Sequence, residues 1–562
     1  MSFSSHNTKN HLLSLSVLTV AISTSLLMTG CSKASKESAE MPSPVIVAPA
    51  PMNANAQSAS YPAMMQSADM QMKRSVNPNI VMPPKAENRE NYQDKKPNPI
   101  HQTATDAIAT FSIDTDTGSY ANVRRFLNQG QLPPTDAVRI EELINYFNYD
   151  FSQAKRLNNA PFLVDTETVQ APWKSTNRLI KVAIKAQDDN VKTNQALPPA
   201  NLVFLVDVSG SMDEENKLPL VKSSLKMLTK QLRPQDTISL VTYSGSTEIA
   251  LPATKGDQKD KILTAIEQLN ANGSTNGEDA IKLAYQQARA NFNKNGINRI
   301  LLMTDGDFNV GVSDTDQMLD LIRRERDSGV SLSTFGFGQG NYNEHMMEQV
   351  ADHGNGNYSY IDSLGEAKKA LVDEMSATFN TVAKDVKVQV EFNPNTVKEW
   401  RLIGYENRVL ATEDFNNDKV DAGDLGAGKA VVALFEITPV GQQGAMDERR
   451  YQVDNKQADT KKLTGKNNEL GYLKLRYKAP NGTQSQLLEL PISTQVNKPS
   501  SDLQFAMSVA GFGELLSQSK YVGNWQFSDT LKLAQANKGN DPQGTRSEFI
   551  KLVGLADSLA GK

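Results

Sequence analysis

One cysteine, five histidines and three tryptophans in 562 residues leave several chemistries without material. A lone thiol rules out a disulfide framework, and so few histidines leave no ligand set for a zinc site of the Cys/His kind. There is no basic excess either. Lys and Arg number 59 against 64 Asp and Glu, a formal charge of −5, where a nucleic-acid binder carries a basic domain or stripe. Beyond the N-terminus no apolar run approaches membrane length, so the chain is not a polytopic membrane protein. What remains is an ordinary globular balance of 39% hydrophobic and 22% charged residues, long enough for about three or four domains.

The single long apolar run opens the chain. Residues 1–11 are polar with one basic side chain, Lys9, and Leu12 to Met28 follow, interrupted by Ser14, Ser16, Thr19, Ser23, Thr24 and Ser25. So many hydroxyls make a poor permanent span and a good signal core. The run closes on Leu27-Met28-Thr29-Gly30-Cys31, which resembles the bacterial lipoprotein signal, with Met28 where Leu is usual. That resemblance implies removal of residues 1–30, a diacylglycerol on the Cys31 sulfur and a third acyl chain on its amine. Ser32 after the cysteine implies an outer-membrane destination, facing the periplasm. Several acyl chains, at roughly 0.8 kcal/mol per buried methylene, anchor durably in a lipid bilayer. The alternative is an uncleaved anchor with an incidental cysteine. Residues 31–103 hold ten of the 25 prolines and neither Phe nor Trp, so they read as a disordered tether.

Residues 104–197 read as an N-terminal α+β module. A helix after Pro133-Pro134, which Thr135 can cap, repeats Ile140, Ile144 and Phe147, and Phe162–Thr168 and Arg178–Ile184 read as strands. Between 198 and 380, strands and helices alternate. Leu202–Val206 is a continuous apolar run, as in a strand buried on both faces. Thr237–Tyr243, Arg299–Met303 and Val330–Phe335 are further strands, with helices at Ile262–Leu269, Asp279–Ala290 and Gln317–Arg326. This order implies an α/β fold with a doubly wound, mostly parallel sheet. Ligands of such sheets sit at the carboxyl ends of strands near a switch point. The loops after Val206, before Asp279 and after Met303 are therefore the place for a site. From 381 to 562 strands return at Val386–Phe392, Trp400–Tyr405, Ala430–Ile437, Leu470–Tyr477 and Gln486–Ile492. With the two strands before residue 198 they can form one antiparallel β-sandwich that flanks or receives the α/β unit. Helices Leu503–Gln518 and Ser547–Ala560 are placed to cover a sheet face.

After the first α/β strand the chain reads Val206-Asp207-Val208-Ser209-Gly210-Ser211-Met212. Alternate residues of an extended turn project the same way, so Asp207, Ser209 and Ser211 can aim a carboxylate and two hydroxyls at one point. Gly273-Ser274-Thr275-Asn276-Gly277 offers Thr275 near a helix N-terminus, and Thr304-Asp305-Gly306 offers a second carboxylate. Five oxygen side chains without nitrogen or sulfur favour a hard divalent cation, Mg²⁺ first, with Mn²⁺ and Ca²⁺ open.

Asp207-x-Ser209-x-Ser211, Thr275 and Asp305 resemble, in order and spacing, the metal-ion-dependent adhesion site (MIDAS) of von Willebrand factor type A domains. The resemblance implies that Ser209, Ser211 and Thr275 touch the metal while Asp207 and Asp305 act through water. It further implies that an acidic side chain of a protein partner fills an open coordination position. Outside that domain, Phe111-Ser112-Ile113-Asp114, Asn122–Leu127 and Arg139–Phe147 resemble the N-terminal module of a bacterial lipoprotein family, the YfbK type. Residues 421–428 resemble that family's C-terminal module.

Other motifs lead elsewhere. Asp116-Thr117-Gly118-Ser119 is the tetrapeptide of aspartic proteases, whose chemistry needs a second carboxylate. The nearest candidate, Asp327-Ser328-Gly329, reads as a helix stop. Gly423-x₄-Gly428-Lys429 lacks the hydroxyl residue of a P-loop, Ala430 standing there. Glu214 and Glu215 resemble an accessory cation site beside the first, but read better as a solvated acidic helix start. The expectation is a non-enzymatic envelope lipoprotein that binds a protein partner through its divalent cation. Two rivals stay open: a structural assembly factor that needs no metal, and a metal-assisted hydrolase with Glu278 or Asp307 as base.

Overall fold

The computed structural model describes residues 89–152, 154–158, 160–187, 198–275, 277–306, 315–374, 380–447 and 466–561. Cys31, the signal segment and the tether as far as residue 88 lie outside the described residues. Among the described residues no helix is long and apolar enough to cross a membrane.

In chain order, β1 (His101–Gln102), β2 (Ile108–Ser112), α1 (Gly118–Asn128) and α2 (Ile140–Asn145) come first. The short β3 (Lys155–Arg156) precedes β4 (Phe162–Gln170) and β5 (Arg178–Ala186). The alternating stretch begins with β6 (Ala200–Asp207), α3 (Leu218–Gln231), β7 (Thr237–Tyr243), β8 (Thr247–Lys255) and α4 (Lys259–Glu267). It continues through α5 (Gly277–Ala290), β9 (Ile297–Thr304), α6 (Thr315–Arg326), β10 (Ser331–Phe337), α7 (Glu344–His353), β11 (Tyr358–Ile361) and α8 (Leu364–Lys368). Then come β12 (Thr381–Phe392), β13 (Val397–Ile403), β14 (Leu425–Gly426), β15 (Ala430–Pro439), β16 (Glu469–Lys478) and β17 (Ser485–Ser493). Helices α9 (Ser501–Leu516), α10 (Phe527–Ala536) and α11 (Thr545–Ala560) close the chain.

The α/β sheet has the order β11-β10-β9-β6-β7-β8. Its strands are parallel except β8, which returns antiparallel along the β7 edge. On β6, Leu202, Phe204 and Val206 enter one core while Val203 and Leu205 enter the core on the opposite face. Burial on both faces is why this strand reads as an unbroken apolar run. The edge strand β8 escaped the sequence reading because most of its side chains are exposed and it shows no clean alternation.

Two antiparallel sheets complete the fold, one ordered β1-β13-β15-β5-β4-β3, the other β14-β12-β16-β17 with β2 beside β12. Strands from both sides of the alternating stretch thus share sheets, β5 pairing with β15 and β2 with β12. Phe111, Phe162, Ile180, Val388, Phe435 and Leu473 fill a common core. β15 shows the period of two: Val431, Ala433, Phe435 and Ile437 point into that core. Val432 and Leu434 point the other way, under Phe147, Phe505 and Phe549 of the helical layer. The C-terminal helices therefore cover a sheet face. Thr135 does not cap α2: Thr135–Ala137 is a separate 3-10 turn, and α2 begins after Arg139.

Buried and half-buried ion pairs tie these parts together. Arg408 reaches Asp114 at 3.0 Å, Glu348 at 3.2 Å and Asp352 at 2.6 Å, while Arg139 donates to Glu348 at 2.6 Å. The protease-like tetrapeptide serves this junction as a strand-to-helix turn, Asp116 accepting from the Tyr358 amide at 3.0 Å. Burial pushes the Glu348 carboxyl up to about 8; Asp352 and Glu344 add to the shift and the two arginines oppose it.

A carboxyl raised in the folded state stabilises the fold below its unfolded pKa and loses that contribution as pH rises through the folded value. The thermal midpoint should therefore fall as pH climbs from about 4.5 to about 8, and Glu348→Gln should flatten that slope. Arg408→Met should cost about 3–5 kcal/mol in urea unfolding, because it leaves buried carboxylates facing one another.

Candidate metal centre

Pairing of β6 with both β7 and β9 makes the β6–β9 boundary the point where the sheet's winding reverses. Val206 is in register with Met303, so the turns after both strands open at the same edge. This is the crevice in which an α/β sheet binds ligands.

Asp207 ends β6, fully buried. One carboxylate oxygen accepts the Ser209 amide at 2.9 Å, and the other accepts the Thr304 hydroxyl at 2.9 Å. Burial pushes this carboxyl up to about 6, and Asp305 adds to the shift; the Ser209 and Thr304 donors oppose it. The Ser209 and Ser211 hydroxyl oxygens lie 3.1 Å apart, Ser209 buried and Ser211 half-buried. The loop carrying Thr275 lies against this turn through two backbone bonds, Gly210 N–H to the Gly273 carbonyl at 3.0 Å and Asn272 N–H to the Val208 carbonyl at 2.7 Å. Gly273 has φ +82, a left-handed backbone that favours glycine. Thr275 is buried two residues further on. Asp305, also fully buried, follows Thr304 directly. Four of the five candidate residues are thus linked by direct or adjacent contacts, and the fifth sits on a loop fastened to them.

Lys217 was not read from the sequence. It immediately precedes α3 and is buried, its Nζ donating to Asp305 Oδ2 at 3.1 Å, to the Ser211 carbonyl at 3.0 Å and to Asn341 Oδ1 at 3.1 Å. Asn341, from the loop after β10, also donates to Asp305 Oδ2 at 2.9 Å. Lys217 follows Asp213-Glu214-Glu215-Asn216, and nothing in that polar run marks the lysine as buried. The glycines after β10 were the available signal. A Cβ on Gly338 would fall 2.4 Å from the Lys217 Cε, so that glycine makes room for the lysine stem.

The candidate set suits a hard cation: side-chain oxygens alone, two of its hydroxyls adjoining, and two carboxylates fully buried at the same sheet edge. A second acidic group, Asp114, Glu142 and Glu348, has carboxylate oxygens within 4.8 Å of one another. The Arg139 and Arg408 guanidiniums are lodged against it, which makes it a structural junction. Of the two candidate bases, Glu278 pairs with Lys282 along α5, and Asp307 lies outside the described residues.

A mostly parallel sheet with helices on both faces, and oxygen-bearing side chains in the turns at its switch point, fits the von Willebrand factor type A class of fold. Residues 201–374 match the family described as von Willebrand factor type A domain, a class that often binds a divalent metal. Residues 86–181 match "von Willebrand factor", and residues 377–559 match "Uncharacterized protein YfbK, C-terminal". The chain is 52% identical over 473 residues to the uncharacterized protein YfbK of Escherichia coli (strain K12), covering 83% of this chain and 81% of that one. It is 26% identical over 357 residues to the uncharacterized protein sll0103 of Synechocystis, covering 62% and 78%. A solved von Willebrand factor type A protein from Catenulispora acidiphila aligns over 70% of this chain and 89% of its own, with 14% identity and a TM-score of 0.39. The chain belongs to the YfbK family, in which a von Willebrand factor type A domain is joined to a YfbK C-terminal domain.

Thr304→Val removes the donor that holds Asp207 Oδ2 and should cost about 1–3 kcal/mol of stability in urea unfolding. Thr304→Ser, which restores the hydroxyl, should recover most of it.

Proposed function

We propose that this protein is a non-enzymatic envelope lipoprotein that binds a protein partner through a divalent cation, Mg²⁺ first and Mn²⁺ or Ca²⁺ next. In this reading Ser209, Ser211 and Thr275 hold the cation directly, while Asp207 and Asp305 balance its charge through water. The observation that carries it is two fully buried carboxylates and two adjoining serine hydroxyls gathered at the carboxyl ends of neighbouring parallel strands. When bound, the cation supplies a coordination position that an acidic side chain of the partner can fill. Hydroxyl and water ligands leave the ion with much of its positive charge, which draws in such a carboxylate. The pairing of Glu278 with Lys282 weighs against Glu278 as a hydrolytic base.

Anchoring belongs to the same proposal: Cys31 carries acyl chains and holds the binding domain on the outer membrane, facing the periplasm. Its support is the small-residue run ahead of a lone cysteine.

In a pulldown from envelope extract with Mg²⁺, partner recovery should fall to background on adding EDTA, and also in Ser209→Ala of unchanged thermal midpoint. Recovery persisting in both arms would favour an assembly role that needs no metal. Cys31→Ser should abolish labelling by radioactive palmitate and move the protein out of the membrane pellet.

A further inference from the structure

We propose that Lys217 sets how tightly the centre holds its cation, acting as a built-in counter-charge to Asp305. This rests on the metal-binding reading above and adds what limits the affinity. An ammonium has three donors and no acceptor. Here all three are engaged, by the Ser211 carbonyl, Asp305 Oδ2 and Asn341 Oδ1. The lysine therefore spans the two halves of the centre, from the turn after β6 to the end of β9.

A buried charge is tolerated only when it is paired. Two carboxylates lie within ion-pair distance of Lys217 among the described residues. Glu214, at 3.6 Å, is 57% exposed; Asp305, at 3.1 Å, is fully buried. The acid that would balance a cation is thus already balanced by the protein itself. The surroundings are built to keep the lysine there: Gly338 leaves space for its stem, and the Asn341 amide adds a second donor to the same Asp305 oxygen.

Asp207, Asp305 and Lys217 together carry a single negative charge when each is ionised. That is too little to neutralise a divalent ion, so the centre binds a cation weakly by itself and leaves charge for an incoming carboxylate to satisfy. Removing the lysine charge unmasks Asp305. With charges a few ångströms apart in a partly dry site, the affinity should rise by about tenfold or more.

The test is calorimetric titration of Mn²⁺ into the purified full chain, its Lys217→Met and Lys217→Gln variants, and the Ser209→Ala/Lys217→Met double variant. Thermal midpoints are recorded for each. Lys217→Gln keeps a donor for its neighbours, so it carries the test if Lys217→Met does not fold. The expected result is Mn²⁺ binding at least about tenfold tighter in the lysine variants than in the parent, and lost in the double variant. Binding seen only in the lysine variants supports the proposal equally. Unchanged or weaker affinity in folded variants overturns it while leaving the metal centre intact. Failure of both variants to fold also overturns it and makes Lys217 a structural strut. No heat in any folded form removes both this inference and the metal-binding reading.

Discussion

Two carboxylates shut away from water at the ends of adjacent strands each need donors to hold them, and much of the α/β edge is organised around that need. Asp207 is held by donors from its own turn and from the last residue of β9. Asp305 is held by a lysine from the neighbouring turn and by an amide from the loop after β10. Ser209 and Lys217 share the connection after β6, while Thr304 and Asn341 come from far along the chain. They meet because β6 lies between β7 and β9 and because each parallel strand delivers its outgoing turn to the same edge. The adjoining Ser209 and Ser211 hydroxyls lie on the turn that directly follows Asp207. In the proposed reading, a cation there would meet hydroxyls close to carboxylates that are already hydrogen-bonded.

The loop that supplies Asn341 is itself braced by the first described residues of the chain. Arg89 N–H donates to the Gly340 carbonyl at 2.7 Å, Asn91 N–H donates to the Tyr342 carbonyl at 2.8 Å, and Glu90 accepts the Gly340 amide at 2.8 Å. Glu90 is in turn clamped by Arg125 of α1. The backbone segment that leads out of the proline-rich region is thus hydrogen-bonded to the loop that contacts Asp305. Elsewhere, Arg408 and Arg139 join the junction residues Asp114 and Glu348, so the α/β sheet does not stand apart from the antiparallel sheets.

Much of this was legible in the residues, unevenly and for physical reasons. Thr237–Tyr243 was read with its observed bounds, because a central strand buried on both faces leaves a run of apolar and β-branched side chains. The candidate site was legible where its members lie close in sequence: Asp207, Ser209 and Ser211 share one turn, and Thr275 and Asp305 fall in the loops that strand order selects. Contacts over long sequence separation were not legible. Lys217 and Asn341 are 124 positions apart, and nothing local distinguishes a buried lysine in an acidic loop from a solvated one. β11, with four residues, and α10, with two buried residues, carry too little periodic signal to be read. Thr135 looked like a cap because a hydroxyl after two prolines is a common helix start, but the helix begins five residues later.

The central claim is that oxygens from three separate stretches enclose one divalent ion, and anomalous diffraction from crystals soaked in Mn²⁺ addresses it most directly. The account predicts a single strong anomalous peak within bonding distance of the Ser209, Ser211 and Thr275 hydroxyl oxygens, with Asp207 and Asp305 behind it. An empty map at that edge, or a peak only among Asp114, Glu142 and Glu348, would contradict it.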